Sequence, residues 1–169
     1  MQRLKQILSR NGYVKIKLTK TATNHFEMKA KINGVKGRFI LDTGASSSCV
    51  GFEMIAYFKL DATESKVKAA GAGASEMDTQ QSKRNSIKIG DWVFKNFNLV
   101  LFDLTHVNTA LENHGAKTVD GIIGADILEL GEAIIDYKKK RLYLKKLIFK
   151  SDLLLIVFLS VSNSINFLR

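Results

Sequence analysis

Phe39-Ile40-Leu41-Asp42-Thr43-Gly44-Ala45-Ser46 decides how the chain is read, because three large apolar residues run straight into an acid and then into Thr, Gly and two small residues. Such an apolar run, bounded by turn residues, is expected to be a buried strand that ends at Asp-Thr-Gly. A carboxylate at the tip of a buried strand is costly unless it is hydrogen-bonded or neutralised, so Asp42 needs a reason for its position. Two readings fit. One is a turn in which Asp42 accepts hydrogen bonds from nearby backbone N–H groups, the ordinary use of Asp before Gly. The other is a carboxylate kept there for chemistry.

Downstream, Val119-Asp120-Gly121-Ile122-Ile123-Gly124-Ala125-Asp126-Ile127-Leu128 places an apolar pair before Gly124 and then a segment with helical character. With Phe-Ile-Leu-Asp-Thr-Gly-Ala-Ser upstream of it, the chain resembles the retroviral-type, retropepsin-like aspartic proteases, in particular their small single-domain bacterial relatives. The resemblance spans about Tyr13 to Leu144. It implies a mainly β, closed acid-protease barrel with one or two short helices, formed by residues 13–150. An N-terminal extension over 1–12 and an apolar tail over 151–169 flank that domain. The resemblance also implies that the Asp-Thr-Gly loop is cradled by the strand ending in Ile122, Ile123 and Gly124.

Outward from Asp42, the alternation of Phe26-Glu27-Met28-Lys29-Ala30-Lys31-Ile32 predicts a half-exposed strand, and Tyr13 to Leu18 predicts another with less regular alternation. Asn33-Gly34 supplies a hairpin turn that returns the chain through Val35 to Arg38 into the Asp42 strand. Apolar residues at 52, 54, 55 and 58 fit a short helix over 51–59. Ser86 to Ile89 and Trp92 to Phe102 read as a hairpin turning at Gly90-Asp91, with Trp92, Phe94 and Phe97 in the core or on the sheet face. Strands are also expected near Ile134-Ile135 and Leu142-Tyr143-Leu144. Many strands with few helices indicate a closed mainly-β domain.

Ala69-Ala70-Gly71-Ala72-Gly73-Ala74-Ser75 lacks the Lys-Ser/Thr that a phosphate loop needs and reads as a loop between pairing segments. By resemblance, this is the flap that closes over bound peptide, with Gly71, Ala72 and Gly73 at the substrate. The sequence holds one Asp-Thr-Gly and no repeat that supplies another. Aspartic protease chemistry uses two carboxylates that share one proton and act as base and acid on a water. The resemblance therefore implies a homodimer with Asp42 of both copies at the two-fold axis, acting on a peptide or protein substrate. Thr43 would form interlocked hydroxyl contacts beneath the pair, Gly44 would let the loop turn, and Ala45 would fill the small position that follows. Where many retroviral members carry Arg after the apolar-apolar-Gly element, this chain has Ala125, which removes one interface ion pair. Strands near Tyr13 and Tyr143 are candidates for the shared interface. A catalytically weak or inactive member that serves dimerisation or protein binding remains a second reading, since fold alone does not carry activity.

Composition narrows the remaining classes. The 169 residues include 46% apolar and 25% charged side chains, ordinary for a globular domain. No prolines are present, so turns rest on 12 glycines and on Asn, Asp and Ser. Cys49 is the single cysteine, which forbids an intramolecular disulfide, and it reads as a half-buried small hydrophobe. His25, His106 and His114 show no ligand spacing, so no metal and no cofactor are expected.

The formal charge of +10 is uneven. Residues 1–40 carry ten Lys/Arg against Glu27, residues 41–136 carry eight against fourteen acids, and residues 137–169 carry eight against Asp152. Basic ends invite nucleic acid, yet no Arg-rich helix, zinc pattern or aromatic RNA-binding signature accompanies them, and no nucleic-acid partner is expected. Met1 to Leu8 lacks the apolar core of a signal peptide, so a cytoplasmic location is expected. Leu153 to Leu159 is apolar but too short to span a bilayer, which needs about twenty such residues. The tail suits a buried segment or contact with a partner or membrane surface.

Overall fold

The computed structural model describes residues 4–65, 68–71 and 74–147. In chain order the elements are α1 (Leu4–Arg10), β1 (Tyr13–Lys17), β2 (Thr19–Lys20), β3 (Phe26–Ile32), β4 (Val35–Leu41) and β5 (Cys49–Gly51). After a single 3₁₀ turn at Phe52–Met54 come β6 (Ala62–Glu64), β7 (Ala69–Gly71), β8 (Ala74–Met77), β9 (Gln80–Ile89) and β10 (Trp92–Phe102). The last elements are α2 (Thr105–Asn113), β11 (Gly121–Ile123), α3 (Ala125–Leu130), β12 (Ile134–Asp136) and β13 (Arg141–Lys145).

The period-2 pattern of β3 becomes a period-2 burial pattern, with Phe26, Met28, Ala30 and Ile32 turned inward and Lys29 exposed. β3 returns through Asn33-Gly34 to β4 in full antiparallel register, from Phe26 opposite Leu41 to Ile32 opposite Val35. β4 then pairs in parallel with β11, β11 runs antiparallel to β5, β5 runs parallel to β10, and β10 folds back on β9. β9 reaches β3 again at Lys31–Lys88 and Ile32–Ile87, which closes six strands into a barrel. Closure removes sheet edges, and its interior is filled by Phe39, Phe58, Ile87, Trp92, Leu101 and Ile123 among others.

Asn33 makes the closure as well as the turn. At φ 49° it bends the hairpin, and its side chain reaches across the seam. Its Nδ2 donates to Asn85 Oδ1 at 2.8 Å and to the Phe58 carbonyl at 3.1 Å, while its Oδ1 accepts from Ser86 N–H at 2.9 Å. Asn85 is buried, and these bonds satisfy it.

Below the barrel, β1, β13 and β12 form a three-stranded sheet with β13 in the middle. Tyr143 is therefore buried and both edges of its strand are paired within the chain, so it is not available to pair with another copy as the sequence suggested. Tyr13 stays on the edge strand. α1 leads into β1 and buries Leu8. The helix expected over 51–59 is one 3₁₀ turn followed by a compact bend, in which Phe58 N–H donates to Met54 O and Lys59 takes φ 56°, a left-handed conformation that stops helical propagation. Cys49 is fully buried where half-burial was expected, because β5 is flanked on both sides by strands. Three short helices are present among the described residues. None of them is long and apolar enough to cross a membrane. The tail over 151–169 lies outside the described residues.

Trp92 ties the two sheets together: its ring is buried in the barrel and its Nε1–H donates to the Lys145 carbonyl of β13 at 2.9 Å. Trp92→Phe keeps an aromatic ring but removes that donor, and the expected loss is about 1 kcal/mol plus the cost of the smaller ring. Urea unfolding should show a lower midpoint with an unchanged slope.

Candidate active site

β4 delivers Asp42 to the barrel end, and the chain turns there because Asp42 itself bonds the turn. Its Oδ1 accepts from Gly44 N–H at 2.8 Å, and its backbone N–H donates to the Ile123 carbonyl at 3.0 Å. Asp42 is half-buried while Thr43 and Gly44 are exposed. A Cβ on Gly44 would sit 3.3 Å from that carboxylate oxygen, so a side chain there would crowd it.

The parallel pairing Ile40–Ile122 and Leu41–Ile123 sets the second motif directly under the first. Ala125 N–H donates to Ala45 O at 2.7 Å and Asp126 N–H to Ser46 O at 3.3 Å. Gly124 fits because it has no side chain: a Cβ would lie 2.7 Å from Ala45 O and 2.8 Å from the Ser47 carbonyl carbon. β11 and Gly124 thus lie directly against the Asp42 loop.

Ser48 and Asp126, which the sequence reading did not select, lock the two loops. Ser48 Oγ–H donates to Asp126 Oδ1 at 2.6 Å, Ser48 N–H donates to Oδ2 at 2.9 Å, and Ile127 N–H also reaches Oδ1 at 2.8 Å. Gly124 N–H in turn donates to Ser48 Oγ at 2.9 Å. Hydrogen bonds to a charged acceptor are stronger than neutral ones. The available signal was an acid in the first turn of a helix, where the backbone N–H groups favour negative charge.

Asp42, Gly44, Ala45 and Ile122 all line one cleft of about 1350 Å³. Its floor is apolar, with Ile40, Cys49 and Val100. One wall is α2, held against the back of the Asp42 strand by Leu111 packing on Ile40 and Val119 and by paired bonds between the Asn108 amide and the Val119 backbone at 2.9 and 3.1 Å. Ala22 to His25 form a second wall. Lys68 and Met77, at the base of the β7–β8 hairpin, contribute a third. Ile123 instead points into the core, and Thr43 and Gly124 are outside the cleft lining. Gly71 pairs with Ala74 in the hairpin, while Ala72 and Gly73 lie outside the described residues. Among the described residues no group of three His, Cys, Asp or Glu side chains could hold a metal ion.

A barrel carrying an Asp-Thr-Gly loop at the head of a large cleft is the architecture of the acid proteases. An aspartyl protease family model matches residues 28–127, more than half of the chain. The protein belongs to the aspartyl protease family. Among solved structures it is similar to a retropepsin-like aspartic protease from Rickettsia conorii, with 24% identity over 80% of this chain and 91% of that one and a TM-score of 0.50. It is also similar to the EIAV protease, at 19% identity over 61% and 84% of the two chains with a TM-score of 0.44. A third similar structure is the retroviral protease-like domain of Ddi1 from Leishmania major, at 15% identity over 80% and 96% with a TM-score of 0.46. No curated protein matches the chain. The fold is retropepsin-like.

Cys49 sits beneath this cleft, and burial pushes its thiol up to about 12, with smaller contributions from the Asp126 and Asp42 charges. A thiol whose pKa is raised on folding stabilises the fold at low pH and loses that contribution as pH rises from about 9 towards 12. Since the thiolate is the nucleophile, Cys49 should resist alkylation by iodoacetamide in the native protein at pH 8. It should react fully once the chain is unfolded in guanidinium, a contrast readable by mass spectrometry.

Proposed function

We propose that the protein is an aspartic endopeptidase that works as a homodimer, with Asp42 of each copy supplying one carboxylate of the pair that activates water. The observation that carries this reading is the placement of Asp42: a half-buried carboxylate at a barrel end, oriented by Gly44 N–H and opening onto a cleft large enough for a peptide. One chain contributes one such group. Two carboxylates held close share a proton, so one can take a proton from the attacking water while the other donates to the scissile carbonyl oxygen and later helps protonate the leaving amine. A second copy must therefore complete the site.

Several features of the chain support the same reading. Thr43 and Gly44 are exposed beside Asp42, where a partner's loop would meet them. Ala45, Ile122, Ile123 and Gly124 act as the support that fixes the loop, and the β7–β8 hairpin acts as the flap, with Gly71, Ala72 and Gly73 as the residues assigned to substrate. Residues 13–150 form the protease domain, with 1–12 and 151–169 as flanking segments. No cofactor enters this chemistry.

Asp42→Asn keeps the shape and removes the base. Hydrolysis of a fluorogenic peptide pool should fall by more than a hundredfold, the scale on which a general base contributes, while circular dichroism and sedimentation stay unchanged. Retention of activity within tenfold of the parent protein would show that Asp42 is not the catalytic acid. Absence of hydrolysis by the parent protein, with dimerisation intact, would instead favour the binding-module reading.

Dilution is the independent check on the two-chain site. Activity per mole of chain should fall as the dimer dissociates, in step with sedimentation. A sedimenting monomer with full activity would overturn the homodimer. Both basic ends repel their copies, so moderate salt should move the midpoint to lower protein concentration.

A further inference from the structure

All three histidines of the chain, His25, His106 and His114, line the cleft that holds Asp42. Of the sixteen acids in the sequence, Asp42 lines it among the described residues. The enrichment comes from separate elements. His25 stands in the turn between β2 and β3 with Nδ1 2.9 Å from the Thr23 hydroxyl. His106 is in α2 and His114 ends it, and with Val107, Ala110 and Leu111 they follow the helical spacing that puts residues on one stripe. The α2 wall therefore sets an imidazole at each end of an apolar stripe.

The other charged groups near these imidazoles are accounted for. Lys68 in the cleft wall is paired with Asp78 across the base of the hairpin. Asp103 faces His106, but its carboxylate is engaged by Thr105, whose hydroxyl and N–H hold its carboxyl below the ordinary range, with His106 a smaller influence. Glu112, two residues before His114, lines a separate surface pocket with Lys117 and Asp120. Cys49 on the floor stays a neutral thiol.

We propose that the cleft selects peptides with acidic side chains flanking the cleaved bond, and that His25, His106 and His114 are the specificity residues that bind those carboxylates. This inference rests on the peptide-hydrolase reading for the nature of the occupant. A protonated imidazole donates from both ring nitrogens and gains charge-assisted hydrogen bonds to a carboxylate. Histidine changes charge between about pH 5 and 8, whereas a Glu side chain on a bound peptide is ionised above about pH 5. The charge-assisted bond needs the imidazole protonated, so a preference that depends on it weakens as pH rises toward neutrality.

The test uses the full chain carrying Asp42→Asn, so that peptides bind without being cut, and two fluorescent decapeptide pools that differ only in Glu or Gln at alternate positions. Anisotropy at low salt should show the Glu pool binding about fivefold or more tightly at pH 5.5, the upper end for one exposed ion pair, with the advantage below about twofold at pH 8. Single His25→Gln, His106→Gln and His114→Gln changes should each lower the Glu/Gln ratio, and the triple change should abolish both the ratio and its pH dependence. Equal affinities at pH 5.5, a preference independent of pH, a preference that survives the triple change, or no binding of either pool each overturn the proposal. Hydrolysis of the same pools by the Asp42 protein separates the two readings. Cleavage without Glu preference sinks the specificity alone, and pH-dependent Glu binding without cleavage sinks the peptidase alone.

Discussion

The carboxylate of Asp126 is what allows two irregular loops to pack against each other inside the barrel end. Ser48 donates to it twice and Ile127 once, and Ser48 then receives Gly124 N–H, so four buried or half-buried polar groups are satisfied within one cluster. Without these bonds, each backbone N–H buried unpaired in a packed loop would cost about 1 to 3 kcal/mol. Among the described residues no buried side-chain nitrogen or oxygen is left without a partner. The position of Asp42 follows from this cluster, because its own N–H is anchored to Ile123, one residue before Gly124. The candidate active site is thus built on strand ends and a polar lock, the rigid placement that a reacting carboxylate requires.

Much of this was legible in the sequence because the chemistry of local elements is strong. The Phe26–Ile32 alternation, the Asn33-Gly34 and Gly90-Asp91 turns, and the apolar runs before Asp42 and Gly124 each have one physical solution, and the chain adopts it. Closure was legible as a class but not in its seam, since the Asn33–Asn85 bonds join residues 52 apart with no periodic signal. α2 was not foreseen. Val107, Ala110 and Leu111 give it a narrow apolar stripe, and it is held largely by long-range contacts to Ile40 and Val119. The stretch over 51–59 failed in the opposite direction, because helical spacing of apolar residues also suits a single turn that buries Phe58. Ser48 and Asp126 looked like loop filler because their value lies in each other, across 78 residues.

The strand that delivers Asp42 and the cleft wall beside it come from different parts of the chain. β11 needs only three residues to support the Asp42 strand, yet α2 and the turn leading from it occupy the connection that precedes it. That connection carries His106 and His114 over the cleft and ties itself down through Asn108. The helix therefore adds side chains to the site without altering the barrel that positions the carboxylate.

The charge pattern acquires a physical meaning from this arrangement. Residues 41–136 carry fourteen acids against eight bases, which on its face should make the Asp42 cleft strongly negative. The structure spends those acids elsewhere. Asp103 binds Thr105 N–H, Asp120 binds Arg38 N–H at 2.7 Å, Asp126 binds Ser48, and Asp136 binds Lys139 N–H. Glu132 and Asp78 face Lys145 and Lys68. Acids used in this way fix turns and helix starts, where backbone N–H groups would otherwise be unpaired. Asp42 is left as the carboxylate in the cleft lining among the described residues. A neighbouring like charge would raise the energy of an ionised carboxylate, and no second acid lines the cleft with Asp42 among the described residues. An acidic stretch of sequence thus yields a cleft whose described titratable lining is Asp42, Cys49, Lys68 and three imidazoles.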